Sequence, residues 1–434
     1  MKLSFENIGK VAKAEIEIDL ITVIAGANDT GKSTAGKILY SIYTALHELK
    51  PEKLLGNKVK SLINDEKFIA NLMGESYFNF GKDHFGISFF YERLTGIDDL
   101  TYISIENRFN KLAKDWIIKL QEYIKNEQLP ELTKDKINMT CENMFLKINA
   151  ESNSKKIWLS SIQEILLIEF SDALTTELCE NPSSKIYLKE DTGDEMKFEF
   201  LGNEIDYTLS NVERKRDYAQ PFYVDNPFIL DELNNPRSNV SEGSFKHNDK
   251  IISAIENPLA QNHFEKMLEN QEIRDILDSV LEGRIFKKGK RYRYQTNKML
   301  NPVDIESLST GMKSFAILKM LFDSRQLEFV ILDEPEIHLH PEWKLKYAEF
   351  VVLLASKRPI QIVITTHSPY FIEAIELYSK KYGIGKYVRY YNALNYENGM
   401  SEFFDVTEKL EVLYESMSEP FQILEELRDE LDEE

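Results

Sequence analysis

The sequence predicts an α/β protein: a mixed, mostly parallel sheet with helices on its faces, interrupted by an inserted, mainly helical lobe. Three observations predict it. The apolar run Leu20-Ile21-Thr22-Val23-Ile24-Ala25 feeds a glycine-rich loop and then a helical stretch, Ala35 to Leu46. In the last third, the buried-strand runs Gln326 to Leu332 and Ile360 to Thr365 flank an amphipathic helical stretch, Pro341 to Lys357. Between these ends, Arg108 to Tyr123 and Ile157 to Leu178 carry apolar residues at three-and-four spacing. Alternating strands and helices argue for parallel pairing, which brings residues distant in sequence to the strand C-termini, where open α/β sheets bind ligands.

The elements follow in order. Leu3-Ser4-Phe5 opens a short β-region. Glu15, Glu17 and Asp19 then alternate with Ile16, Ile18 and Leu20, the period-two signature of a half-buried strand. Lys185 to Leu209 returns to this alternation around Thr192-Gly193-Asp194 and predicts a hairpin. Ala219 to Leu230 reads as a strand running into a proline-containing loop. Phe286 to Tyr294 interleaves basic and aromatic residues; it fits a hairpin with a Lys-Gly turn, and contact to a nucleic-acid backbone is the alternative. The expected organisation is an α/β head over 1–45 and 185–405, a helical lobe over 46–184 and an acidic C-terminal helix over 406–434.

Composition narrows the class. With 434 residues there is room for two or three domains, and 42% apolar residues suffice for a packed core. A formal net charge of −20 favours solubility and disfavours non-specific attraction to nucleic acid or anionic lipid, so DNA is a possible partner that the charge does not indicate. Two cysteines in unrelated contexts, Cys141 and Cys179, indicate neither a disulfide framework nor a zinc site. No run reaches 18 apolar residues, and the N-terminus lacks a signal-peptide pattern, so a cytoplasmic protein without a membrane span is expected.

Four motifs carry chemistry. Gly26-Ala27-Asn28-Asp29-Thr30-Gly31-Lys32-Ser33-Thr34 fits G-x-x-x-x-G-K-[ST], a loop whose backbone N–H groups cradle nucleotide phosphates. The strand before it and the helix after it place the helix N-terminus at the phosphates. Phe329 to Leu332 is an apolar strand ending in Asp333 and Glu334. Asp333 suits a contact to Mg²⁺ alongside the Ser33 hydroxyl, and Glu334 suits the activation of an attacking water. Ser307-Leu308-Ser309-Thr310-Gly311-Met312-Lys313 opens a helix and offers a second anion-binding N-terminus. Thr365-Thr366-His367-Ser368-Pro369 sets one histidine at the C-terminal end of a buried strand.

In order and approximate spacing these motifs resemble those of ABC-type ATPases, more closely the SMC, RecF and OLD-like branch. Asn28 in the loop, Glu334-Pro335-Glu336-Ile337-His338-Leu339-His340-Pro341 and Thr366-His367-Ser368 are what that branch shows. The resemblance covers about 1–45 and 300–375. It implies ATP and Mg²⁺ as cofactors, with Gly26, Asn28, Thr30, Gly31, Lys32, Ser33 and Thr34 around the phosphates. It implies Ser33 and Asp333 at the metal, Glu334 as general base and His367 as a switch at the γ-phosphate. Ser309, Gly311 and Lys313 would belong to a signature closing over ATP bound in a second copy, which implies a homodimer or higher homo-oligomer with shared ATP sites. Gln220 is the candidate for the glutamine that senses Mg²⁺, and His338 and His340 would lie on a loop facing the other copy. By the same resemblance the chain looks like the ATPase component of bacterial defence systems such as PARIS or Septu. It would be an ATP-hydrolysing switch that controls a separate nuclease or toxin. Only 67 residues follow His367, too few for the Toprim domain of OLD nucleases plus the closing elements of the head. The alternative is a DNA-repair or chromosome-associated ATPase acting directly on DNA.

Overall fold

In the computed structural model the N-terminal alternation becomes an antiparallel hairpin, β1 (Lys2–Ile8) and β2 (Val11–Glu17), with Asn7 and Gly9 in left-handed backbone at its turn. Leu3 and Phe5 point to the core with Ser4 between them turned away, the period-two logic of a strand with one wet face, and the alternation breaks at Asn7 before Ile8 is buried. The structure describes residues 1–48, 51–95, 102–149, 154–176, 178, 183–212, 218–234, 246–259, 271–358 and 360–432. Cys179 lies outside them.

Two units form. One comprises residues 1–47 and 159–434, the other residues 48–158. The first holds the remaining strands: β3 (Ile21–Gly26), β4 (Ser183–Lys189), β5 (Glu195–Leu201), β6 (Glu204–Ile205), β7 (Asn211–Val212) and β8 (Pro221–Val224). After these come β9 (Gly283–Lys288), β10 (Arg291–Thr296), β11 (Val303–Asp304), β12 (Phe329–Asp333), β13 (Gln361–Thr366), β14 (Val388–Asn395) and β15 (Ser401–Asp405).

Twelve of these strands make one sheet, ordered β6-β5-β4-β1-β2-β15-β14-β3-β13-β12-β8, with β7 also paired to β5. The mixed α/β sheet expected from the sequence is present, and its parallel part is concentrated where the motifs lie. The strands β14, β3, β13, β12 and β8 are all parallel neighbours. β3 and β8 are buried at every position, as strands covered on both faces must be. The register then sets the site. Asp333 pairs with Thr365, Thr366 with Ala25, Leu332 with Val224 and Gly26 with Ala393, so these residues end their strands at one edge of the sheet.

The predicted hairpin over Phe286 to Tyr294 is formed by β9 and β10, with Gly289 left-handed between them; β11 completes a separate antiparallel sheet. The helical reading of Ile157 to Leu178 is too long. That helix spans Ser154–Glu169 and stops where Ser171 and Asp172 take positive φ, a conformation no α-helix continues through. The unit 48–158 contains helices Pro51–Met73, Glu75–Asp83, Ile87–Thr95, Tyr102–Asn126 and Glu131–Asn149, packed around Leu62, Phe80, Phe109, Trp116, Ile137 and Cys141. It is shorter than the 46–184 expected from periodicity. Leu159, Ile162, Ile165 and Leu166 are fully buried on the part of helix Ser154–Glu169 that belongs to the other unit.

Candidate functional site

The phosphate loop runs from the end of β3 into helix Lys32–Glu48. Two of its glycines are dictated by space. A Cβ on Gly26 would lie 2.4 Å from the Ala393 carbonyl oxygen of the adjacent β14, and one on Gly31, which has φ +72°, would lie 2.6 Å from a Val11 methyl. No other residue fits there without displacing a strand. Ala27, Asn28 and Asp29 are exposed at the crest, and Lys10 pairs with Asp29. Thr30 donates to the Ala27 carbonyl at 3.0 Å and fixes the loop from inside. Thr34 is buried, and its N–H donates to the Gly31 carbonyl.

Lys32 is almost wholly buried. Its ammonium donates to the Ala27 carbonyl at 2.7 Å and lies 3.4 Å from Glu334. His367 approaches the other oxygen of the same carboxylate, also at 3.4 Å, an ion-pair distance without hydrogen-bond geometry. Three charged or chargeable groups from three separate segments therefore meet at Glu334. Glu334 itself has φ 48°, a region that costs a non-glycine residue on the order of 1–3 kcal/mol. Its N–H donates to both the backbone oxygen and the hydroxyl of Thr365, at 3.1 and 3.0 Å, which holds the strained turn.

Asp333 is bound from three sides. The Ser33 hydroxyl donates to Oδ1 at 2.9 Å, the Thr365 hydroxyl also reaches Oδ1, and the Tyr223 hydroxyl donates to Oδ2 at 2.5 Å. Burial and this carboxylate together push the Tyr223 phenol well above its ordinary range. The Ser33 hydroxyl and the Asp333 carboxylate are hard oxygen donors held side by side, the donor chemistry that Mg²⁺ takes. Among the described residues no group of three His, Cys, Asp or Glu side chains is arranged to hold a metal alone.

Glu336 sits one residue beyond Pro335 and is completely buried. It accepts from the Thr366 hydroxyl and, at 3.4 Å, from the His367 N–H, tying the turn after β12 to the turn after β13. Beside these acids opens a cleft of about 260 Å³, lined by Ser33, Asp225, Asn226, Asp333, Glu334 and His338 among others.

The signature residues are placed differently. Ser309 is exposed and caps helix Thr310–Ser324, its hydroxyl accepting from the Met312 N–H at 3.4 Å. Gly311 is packed so tightly that a Cβ would stand 2.9 Å from the Trp343 ring. Lys313 does not face outward. It is 4% exposed, with its ammonium 2.6 Å from Asp231 and 4.9 Å above the Phe228 ring. Within one copy, then, Lys313 is held by Asp231 and Phe228.

Gln220 stands away from the place expected for it. It precedes β8, whose direction matches that of β12, so it stands at the N-terminal end of a strand whose C-terminal end faces the site. Its side chain donates to the Pro221 carbonyl. The residue that β8 delivers to the cleft is Asp225. Sequence reasoning also missed Tyr223, Thr365 and Glu336, although Thr365 and Glu336 lie inside the quoted motifs.

Residues 187–373 match the family model described as "AAA domain, putative AbiEii toxin, Type IV TA system". The match takes in β8, the signature helix and the ends of β12 and β13; the phosphate loop precedes it. Among solved structures, the SMC head domain from Thermotoga maritima is similar at 12% identity and TM-score 0.38, over 93% of this chain and 98% of that one. The SMC head with coiled coil from Pyrococcus furiosus, bound to the C-terminal domain of ScpA, is similar at 11% identity and TM-score 0.33, over 98% of each chain. Through residues 187–373 the chain is similar to that AAA family.

Proposed function

We propose that this chain binds ATP with Mg²⁺ and hydrolyses it, and that ATP-dependent assembly of two copies switches a separate effector, a nuclease or toxin, in anti-phage defence. The observation that carries the hydrolytic reading is the convergence of Lys32 and His367 on Glu334, with Asp333 bonded to Ser33 beside them. The defence reading is supported by the motif resemblance and by a matched family whose description concerns a toxin–antitoxin system. Strong acidity favours a switch over direct action on DNA.

Lys32 and His367 each stand 3.4 Å from one oxygen of the Glu334 carboxylate. Entry of the triphosphate gives the Lys32 ammonium a stronger anionic partner and frees the Glu334 carboxylate. That carboxylate accepts a proton from water as the water oxygen attacks the γ-phosphorus; the bond to the β–γ bridging oxygen breaks, leaving ADP and phosphate. In this reading the His367 imidazole donates to γ-phosphoryl oxygens. Ser33 and Asp333 would hold Mg²⁺, which supplies charge neutralisation along the phosphates.

Glu334→Gln tests this. ATP binding should persist while turnover falls by about 100- to 1,000-fold, the usual cost of removing one group that acts in the transition state, and a larger species should accumulate with ATP in light scattering. Turnover at the wild-type rate would remove Glu334 from the mechanism. Native co-purification with the neighbouring gene product should return a nuclease or toxin; a membrane permease would end the switch reading. Stimulation of turnover by DNA, with steep salt dependence, would put the DNA-acting alternative first.

A further inference from the structure

The last helix, Leu410–Asp432, has two halves of different character. The first is fixed to the larger unit. Leu413 is fully buried there, and Leu410, Tyr414 and Met417 pack against the same core. The Tyr414 hydroxyl donates to Glu376 of helix Pro369–Lys381 at 3.0 Å, and the Ser416 hydroxyl accepts from the Asn392 amide of β14 at 3.3 Å. The second half continues the same seam into solvent. Leu410, Leu413 and Met417 stand three and then four residues apart, and Leu424, Leu427 and Leu431 repeat that spacing. With Ile423 these three leucines fall within about 100° around the helix axis. All four are 49% to 64% exposed. A lone exposed leucine is ordinary, but four on one face form the kind of apolar patch that marks an interface. Anchors at i, i+3 and i+7 are the pattern by which an amphipathic helix lies in an apolar groove.

Charge selects the occupant of that face. The helix sequence carries eight acidic residues and one basic residue, Arg428, in a chain whose formal net charge is −20. A second copy laid against it would set eight carboxylates against eight. Nucleic acid or an anionic bilayer would bring phosphates. All three are repelled. A protein surface whose apolar groove is edged by lysine and arginine is attracted, and it covers the leucines. We propose that Ile423, Leu424, Leu427 and Leu431 are the anchors by which this chain holds its separate effector, and that the effector meets them with an apolar groove rimmed by basic residues. A nuclease, which has to neutralise phosphates, presents that sign of charge. This rests on the effector reading above.

The probe is the purified product of the neighbouring gene, titrated calorimetrically against the full chain. Wild type should bind it, and raising NaCl from about 50 to about 300 mM should weaken binding by about 10-fold. Leu427→Asp should weaken it by at least about 30-fold, and Leu424→Ala and Leu431→Ala, which keep the helix, by about 3- to 10-fold each. Glu425→Gln, Glu426→Gln and Asp429→Asn together should flatten the salt dependence. ATP turnover and the melting temperature of Leu427→Asp should match those of wild type, because the residue is exposed and outside the core. Unchanged affinity in Leu427→Asp overturns the docking helix and leaves the effector reading standing. Binding that is indifferent to salt, or strengthened by it, overturns the basic rim. No binding by wild type removes the effector reading and this proposal with it. Sedimentation of the chain alone gives a further check: a nucleotide-free dimer dispersed by Leu427→Asp would show that a second copy covers the face, and the proposal would fall.

Discussion

Two lysines, each with a side chain 4% exposed, show how differently the phosphate-loop and signature helices are built at their starts. Lys32 in the phosphate loop holds a backbone carbonyl and lies 3.4 Å from Glu334, which is itself strained and contested by His367. Lys313 in the signature helix is locked 2.6 Å from Asp231 and covered by an aromatic ring. The first arrangement is a set of weak internal contacts that a triphosphate can replace. The second is a finished ion pair that a ligand would have to break. Burial and a carboxylate neighbour do not by themselves mark a functional lysine; the quality of the partnership does.

The largest expected effect breaks the comparison at Lys32. Lys32→Ala should weaken ATP binding at least about 100-fold in equilibrium titration, since the phosphates lose their only buried ammonium in the loop, while the melting temperature moves little. Lys313→Ala should do the reverse. A protomer should bind ATP within about 2-fold of wild type, and stability should fall by about 1–3 kcal/mol in denaturant titration, because Asp231 keeps its charge and loses its cation. Loss of nucleotide affinity in Lys313→Ala would mean that the inward pair opens when ligand binds, and the contrast between the two lysines would dissolve.

The same contrast explains what was legible in the sequence. Gly26 to Thr34, Asp333, Glu334 and His367 are read from short motifs at strand ends, and parallel pairing does the rest by bringing those ends to one edge. Gln220 misled because residue type was weighed above strand direction. In a parallel sheet only the C-terminal ends reach the site, and that rule selects Asp225. Lys313 could not be placed from sequence, since its partner lies 82 residues earlier and no local pattern announces the pair. Nor does any run of residues announce that Glu169 and Asp225 will bracket His247, or that β14 will press against Gly26 and make that glycine obligatory. Contacts within an element leave a period in the sequence; contacts between distant elements leave none.

Glu336 sharpens the comparison with a smaller effect, because it is a buried charge with neither kind of partnership. It is fully inaccessible, is held by the Thr366 hydroxyl and the His367 N–H, and has one oxygen without a hydrogen-bond partner. Burial is the main cause that raises its pKa above the ordinary 4.5, with those hydrogen bonds opposing. An acid whose pKa is higher folded than unfolded binds more protons in the native state, so folding loses stability as pH rises above the unfolded value toward the folded one. Glu336→Gln keeps an oxygen for Thr366 and His367 but cannot ionise. Its melting temperature relative to wild type should therefore climb from pH 5 to pH 8, by a few degrees at most, as expected for about 1 kcal/mol in a chain of this size. A difference independent of pH would show that Glu336 stays ionised throughout.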